Sequence, residues 1–243
     1  MNPRHVRAQG WLRASVLLGT AMLLSACQPT GQQPPAPPAA TTPASAGPAG
    51  TAPPPSVTAS FRCGDMLIGS IFDNTAGKVT LSWSGQRLTL PQAPSASGAR
   101  YADEHGNEFW NKGDNAMLTL AGVEHPECSV TDDVSPWDEA RARGVAFRGI
   151  GTEPGWWVEV DAGDAPALRA ALDYGERKLD LASVQRSDTN AGYVGRTADG
   201  ATVTLEISEG ECGDGMSDQS YPAHAVLMIG DQAYKGCGAT LNP

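Results

Sequence analysis

The sequence contains no Gly-x-Ser-x-Gly elbow, no Gly-rich phosphate loop and no His-Glu-x-x-His pair. Those absences remove the familiar serine-hydrolase, nucleotide-binding and zinc-protease readings, and no enzyme is expected. Histidine is scarce, with only His5, His105, His125 and His224. His125 and Cys128 have a metal-like spacing, but the cysteine is better used in a disulfide, so neither a metal nor a cofactor is expected. Lysine is scarcer still in the middle of the chain: between Cys27 and Lys178 there are only Lys78 and Lys112. No charged residue falls between 28 and 58, and no repeat of fixed period links the two halves.

What is present begins at the N-terminus. Arg4, Arg7 and Arg13 precede an apolar stretch, Val16 to Leu24, that is too short to span a bilayer as a stable helix. This is the pattern of a secretory signal over residues 1–26. Leu24-Ser25-Ala26-Cys27 resembles the lipobox of bacterial lipoproteins. The resemblance implies cleavage before Cys27, acylation of its thiol and anchoring in a membrane. Gln28, where an Asp would favour the inner membrane, implies sorting to the outer membrane, facing the periplasm.

Residues 27–58 are almost wholly Pro, Ala, Thr, Gly, Ser and Gln, a composition that cannot bury a core. They are read as a tether, spanning roughly 30 Å as a coil and about 90 Å as polyproline II, that holds the rest of the protein off the membrane and facing outward. Losing the three arginines of residues 1–26 takes the formal charge from −10 to −13. So acidic a body is not drawn to nucleic acid or anionic lipid, whereas a basic partner is steered towards it.

Beyond the tether the pattern is β. Val79 to Trp83, Gln86 to Leu90 and Ala116 to Leu120 alternate apolar and polar, with Ser84-Gly85 as a tight turn. Short strands at regular spacing predict an all-β fold, with a small antiparallel barrel or sandwich over residues 59–129. Ser135, Pro136, Asp138 and Glu139 read as a helix start that Gly144 ends. Residues 130–243 read as a second, mainly-β domain with one or two short helices. A further helix is expected somewhere in Ala165 to Tyr174. Trp156, Val158 and Val160 face one way and Trp157, Glu159 and Asp161 the other. Asp199-Gly200 signals a hairpin between Tyr193–Arg196 and Thr202–Ile207, and Val226 to Ile229 reads as a buried strand.

With Cys27 lipidated, Cys63, Cys128, Cys212 and Cys237 remain. Four cysteines in an oxidising compartment allow three pairings, and the division into domains favours Cys63–Cys128 and Cys212–Cys237.

One cluster stands out. Cys63, then Ser95-Ala96-Ser97-Gly98-Ala99-Arg100-Tyr101, then Phe109-Trp110-Asn111-Lys112-Gly113, Ala116 and Cys128 occur in that order. Together they resemble the bacterial inhibitors of c-type (chicken-type) lysozyme, including the membrane-bound lipoprotein form, over residues 59–129. The resemblance implies an eight-stranded antiparallel barrel whose loop enters the lysozyme cleft. It implies that Ser97 and Lys112 contact the catalytic carboxylates, with Ser95 a rival for the serine. Gly98, Arg100 and Tyr101 are counted with the same lysozyme-binding stretch, although Tyr101 is for the most part, and Trp110 wholly, assigned to the core. Asn111 stands where the family often has a hydroxyl residue.

Gly151 to Trp156 and the segment from Cys212 to Cys237 resemble a family of uncharacterised bacterial envelope domains, which implies no activity. Asp214 and Asp218 lack the ligand spacing of an EF-hand. The competing reading of the chain is an envelope module without inhibitory function, binding peptidoglycan or another envelope component through the second domain.

Overall fold

The computed structural model describes residues 54–189, 191–217 and 219–242. The expected signal peptide, the lipidated Cys27 and nearly all of the expected tether lie outside the described residues.

Alternation builds the first part as expected. Strands β1 (Ser56–Cys63), β2 (Met66–Asp73), β3 (Lys78–Trp83), β4 (Gln86–Ala93), β5 (Ala99–Ala102), β6 (Glu108–Lys112), β7 (Asn115–Leu120) and β9 (Cys128–Thr131) run antiparallel in the order β6-β5-β4-β3-β2-β1-β9-β7. Pairing of β6 with β7 closes them into an eight-stranded barrel, while β8 (Val123–Glu124) adds only a two-residue rung outside β7. The first strand begins at Ser56, slightly inside the stretch read as tether. Every second residue turns inward, so Phe61, Ile68, Val79, Leu81, Leu90, Phe109 and Leu118 fill the interior. Phe61 and Phe109 meet edge to face with ring centroids 5.3 Å apart, a favoured aromatic geometry.

Ser84 and Gly85 both take positive φ, 46° and 79°, as the two-residue turn between β3 and β4 requires. Gly85 also comes close to the rest of the molecule: a Cβ there would collide with Ala239 and the ring of Trp137.

A single α-helix, α1 (Pro136–Ala142), follows among the described residues. Ser135 caps it, its hydroxyl accepting from the Trp137 N–H, and Pro136 opens it. Gly144, at φ 83°, ends it.

The second sheet has nine antiparallel strands. These are β10 (Val145–Thr152), β11 (Gly155–Asp161), β12 (Leu168–Leu172), β13 (Arg177–Leu181), β14 (Gln185–Arg186), β15 (Gly192–Arg196), β16 (Thr202–Gly213), β17 (Ser220–Ile229) and β18 (Gln232–Thr240). They lie in the order β13-β12-β11-β10-β18-β17-β16-β15-β14. The sheet curls around its own core of Phe147, Trp156, Val158, Leu168, Leu172, Leu205, Leu227 and Tyr234. The helix expected within Ala165 to Tyr174 is strand β12 followed by a turn at Asp173–Gly175. Leucine and alanine favour helix, but Leu168, Ala170 and Leu172 point alternately into the curled sheet, and burial outweighs a propensity of tenths of a kcal/mol.

Barrel and second sheet form one compact unit. Trp137, Ala140, Tyr221, Cys237, Ala239 and Leu241 make a third core at their junction. Ser84 Oγ donates to Gln219 Oε1 (2.9 Å), Gln86 Nε2 to Ser220 O (3.0 Å) and Arg141 to Gly85 O (2.9 Å).

The disulfides are Cys63–Cys128 and Cys212–Cys237. Cys63–Cys128, with a sequence separation of 65, staples the neighbouring strands β1 and β9, on which the two cysteines face each other. On the chain-entropy model such a loop stabilises by about 4 kcal/mol. Replacing both cysteines with alanine is expected to lower the unfolding free energy of the barrel by about that amount in urea denaturation. A loss below about 1 kcal/mol would show that the barrel does not depend on the staple.

Candidate functional site

At one rim of the barrel two turns meet. The first is the loop between β4 and β5, residues 94–98, and the second is the two-residue Gly113-Asp114 turn between β6 and β7. Gly98 is the hinge between them. It has φ 70°, and a Cβ there would run into the Asn111 carbonyl oxygen and approach Lys112 Cγ to 3.0 Å. Only glycine lets the serine loop rest directly on the backbone of the lysine strand.

The loop is closed from within. Ser95 Oγ donates to the Gly98 carbonyl at 3.0 Å, so its hydroxyl is spent on the turn. Ser97 is exposed, and its hydroxyl makes no hydrogen bond to any described residue, while its carbonyl accepts from the Trp110 indole N–H at 2.9 Å. Asn111 Nδ2 donates to Gly113 O at 3.0 Å, which fixes the second turn.

Lys112 is exposed and forms no ion pair with the described residues. Its ammonium sits 3.5 Å from the centroid of the Trp110 ring. Such a cation–π contact contributes about 0.5–1 kcal/mol at an exposed site and leaves the N–H donors free. The strand explains the pairing. Phe109 points into the core, so Trp110 and Lys112, two residues apart, share the outer face.

Trp110 is therefore not a core residue, contrary to the reading from sequence. It is half-buried on the outside, bonded to the serine loop and lying beneath the Lys112 ammonium, and its i, i+2 relation to Lys112 is the signal for this. Tyr101 does lie in the core, 5% exposed and beside Phe72, and burial pushes its phenol pKa up. Arg100 is half-buried next to the loop and already committed: its guanidinium holds Glu108 through two hydrogen bonds of 2.9 and 2.6 Å. Glu108 in turn keeps the Arg100 pKa raised.

Thus the structure gathers Ser95, Ser97, Gly98 and Lys112 at one rim, sets Arg100 beside them as a brace and places Tyr101 underneath. Two side chains, the Ser97 hydroxyl and the Lys112 ammonium, project with unused donors. Among the described residues no group of three His, Cys, Asp or Glu side chains is arranged to hold a metal ion.

Residues 61–126 match the family of the membrane-bound lysozyme-inhibitor of c-type lysozyme. That stretch is the barrel less the first part of β1 and the whole of β9, and it carries the whole rim. A relative from Yersinia enterocolitica, the "Membrane-bound lysozyme inhibitor of C-type lysozyme", is 42% identical over 65 residues, or 27% of this chain and 55% of that protein. The chain thus spans about half the length of the relative it matches. No solved structure matches it. The family match falls within the barrel, and the second sheet lies outside it.

The floor under the lysine is open to test. Trp110→Ala is expected to leave the barrel folded, because the ring lies outside the core, and to weaken any binding through Lys112 by about 2- to 5-fold. Thermal unfolding and titration against the partner measure the two separately. Binding equal to that of the unaltered protein would remove Trp110 from the site.

Proposed function

We propose that the chain is a lipid-anchored inhibitor of c-type lysozyme. In this reading the barrel rim inserts into the catalytic cleft and spares peptidoglycan from cleavage. The observation that supports it most is the joint presentation of an unpaired ammonium and an unpaired hydroxyl, locked together through Gly98 and Trp110.

The chemistry of the target explains why those groups suffice. A retaining glycosidase works with two carboxyl groups about 5 Å apart, one ionised and one protonated, and lysozyme is the standard example of that class. An ammonium placed between them pairs with the ionised group. It also favours ionisation of the other, which must keep its proton to act as the general acid. A hydroxyl alongside donates a hydrogen bond to the same pair. Ser97 takes this role in preference to Ser95, whose hydroxyl already closes the turn.

The acidic remainder of the chain assists the encounter with a basic enzyme. Cleavage after residue 26 and acylation of Cys27 would hold the inhibitor in the outer membrane, facing the periplasm.

The test is direct. Purified residues 28–243 are titrated into a lysis assay with a c-type lysozyme. Inhibition at or below micromolar concentration is expected. Undiminished lysis at that concentration would reject the proposal and favour an envelope-binding role.

A further inference from the structure

A cavity of about 590 Å³ opens at one end of the curled second sheet. Six neighbouring strands, β10, β18, β17, β16, β15 and β14, contribute to its wall. Its size falls within the range of small-ligand sites, and the mouth of a curled sheet is a common place for one. The floor is apolar and fixed. Phe147, Tyr193 and Ala223 are nearly inaccessible, and Ile207 flanks them half-buried. Gly192 keeps one wall bare, since a Cβ there would strike the Leu205 carbonyl oxygen. Asn242, at the back, is immobilised by donating to Arg141 O (3.0 Å) and Val145 O (2.9 Å).

Two opposite charges converge on this floor. Arg186 and Glu209 both line the cavity and both are exposed. Neither side chain makes a hydrogen bond or ion pair with the other or with any described residue. The guanidinium lies over the Tyr193 ring, 5.4 Å from its centroid, which orients it while leaving its N–H edge unused. Glu209 pairs with Ala223 at the last regular position of the β16–β17 ladder before the register shifts between Glu209 and Cys212. Both groups border the same apolar floor.

We propose that this cavity binds the zwitterion of an amino acid or dipeptide with small apolar side chains. The carboxylate meets Arg186 in a two-pronged hydrogen bond, the ammonium meets Glu209, and the side chains cover Phe147, Ala223 and Ile207. The assignment does not depend on the reading of the barrel.

The test titrates alanyl-alanine into isotopically labelled residues 28–243 and follows amide resonances by NMR. Saturating shifts at Gly192 and Ala223 are expected below about 10 mM, with Arg186→Gln and Glu209→Gln each weakening binding roughly tenfold or more. N-acetyl-alanyl-alanine amide, which lacks both charges, is expected not to bind. Three results would overturn the proposal: no saturating shift with alanyl-alanine, equal binding of the capped dipeptide, or unaltered binding by either variant. Both substituted residues are exposed, so folding of the variants is checked by the rest of the same spectrum.

Discussion

Replacing Lys112 with alanine is expected to raise the concentration needed for half-inhibition of a c-type lysozyme by about 10- to 150-fold. That range follows from losing a charge-assisted contact of about 1.5–3 kcal/mol. The substitution is clean because Lys112 is exposed and pairs with no described carboxylate, so its removal leaves no buried group unsatisfied. The Trp110 ring beneath its ammonium is itself outside the core. Stability should therefore shift by less than about 1 kcal/mol while inhibition weakens, and that separation identifies a binding residue. Lys112→Glu should be worse, since it sets a carboxylate against the enzyme's carboxylates. Ser97→Ala should have a smaller effect, about 3- to 10-fold, as one neutral hydrogen-bond donor is removed. If Lys112→Ala inhibits as well as the unaltered protein, the cleft mechanism is wrong even where inhibition is real.

Glu159→Ala is expected to destabilise the protein by about 3–5 kcal/mol, or roughly 6–20 °C in Tm. Glu159 is only 2% exposed. Both its oxygens accept from Arg143 at 2.8 Å, and it also pairs with Arg148. Arg143 reaches solvent, but the Arg148 side chain is 12% exposed and enclosed between Trp137 and Trp157. Burial already lowers the Arg148 pKa against the pull of Glu159. Without the carboxylate the guanidinium keeps its desolvation and loses its counter-charge. A double variant, Glu159→Leu with Arg148→Met, should recover most of the loss, because replacing a buried pair with apolar groups of similar size is often neutral. Chemical denaturation of both variants checks this. A single variant within about 1 kcal/mol of the unaltered protein would show that Arg148 finds water instead.

The contrast between these residues shows what was legible beforehand. Barrel strands could be read because alternation at Val79, Leu81, Leu88 and Leu90 reports directly on a two-faced surface. Ser135 and Pro136 gave the helix start for an equally local reason. The resemblance brought Ser97 and Lys112 together, but residue spacing alone does not show that Gly98 is the contact between their turns. Trp110 was misplaced because aromatic residues near strands usually go inside, whereas here Phe109 had already taken the inward position. Glu159 was read on the polar face of β11, opposite Trp156, Val158 and Val160. It does lie opposite them, but that face is not open to water, because Arg143 and Arg148 converge on it from neighbouring segments. Long-range cover of this kind leaves no periodic trace. The two disulfides form the pairs favoured by the division of the chain, since each staples strands within one sheet.

The register of the barrel has a consequence for the geometry of defence. Ser56 lies level with Asp73, Asp73 with Lys78, and Lys78 with Pro91, just before the serine loop. The polypeptide therefore enters the barrel at the rim that carries Ser97 and Lys112. The Ser84-Gly85 rim, at the other end of β4, is occupied by the second sheet. An anchor at Cys27 would thus be joined to the barrel at this same rim. Residues 28–55 would then set the stand-off, a gap that must admit an entire enzyme between lipid and barrel. Shortening that stretch to a few residues should abolish protection by the anchored protein and leave the detached protein fully inhibitory. Equal protection by short and long anchored forms would mean that the rim does not face the bilayer.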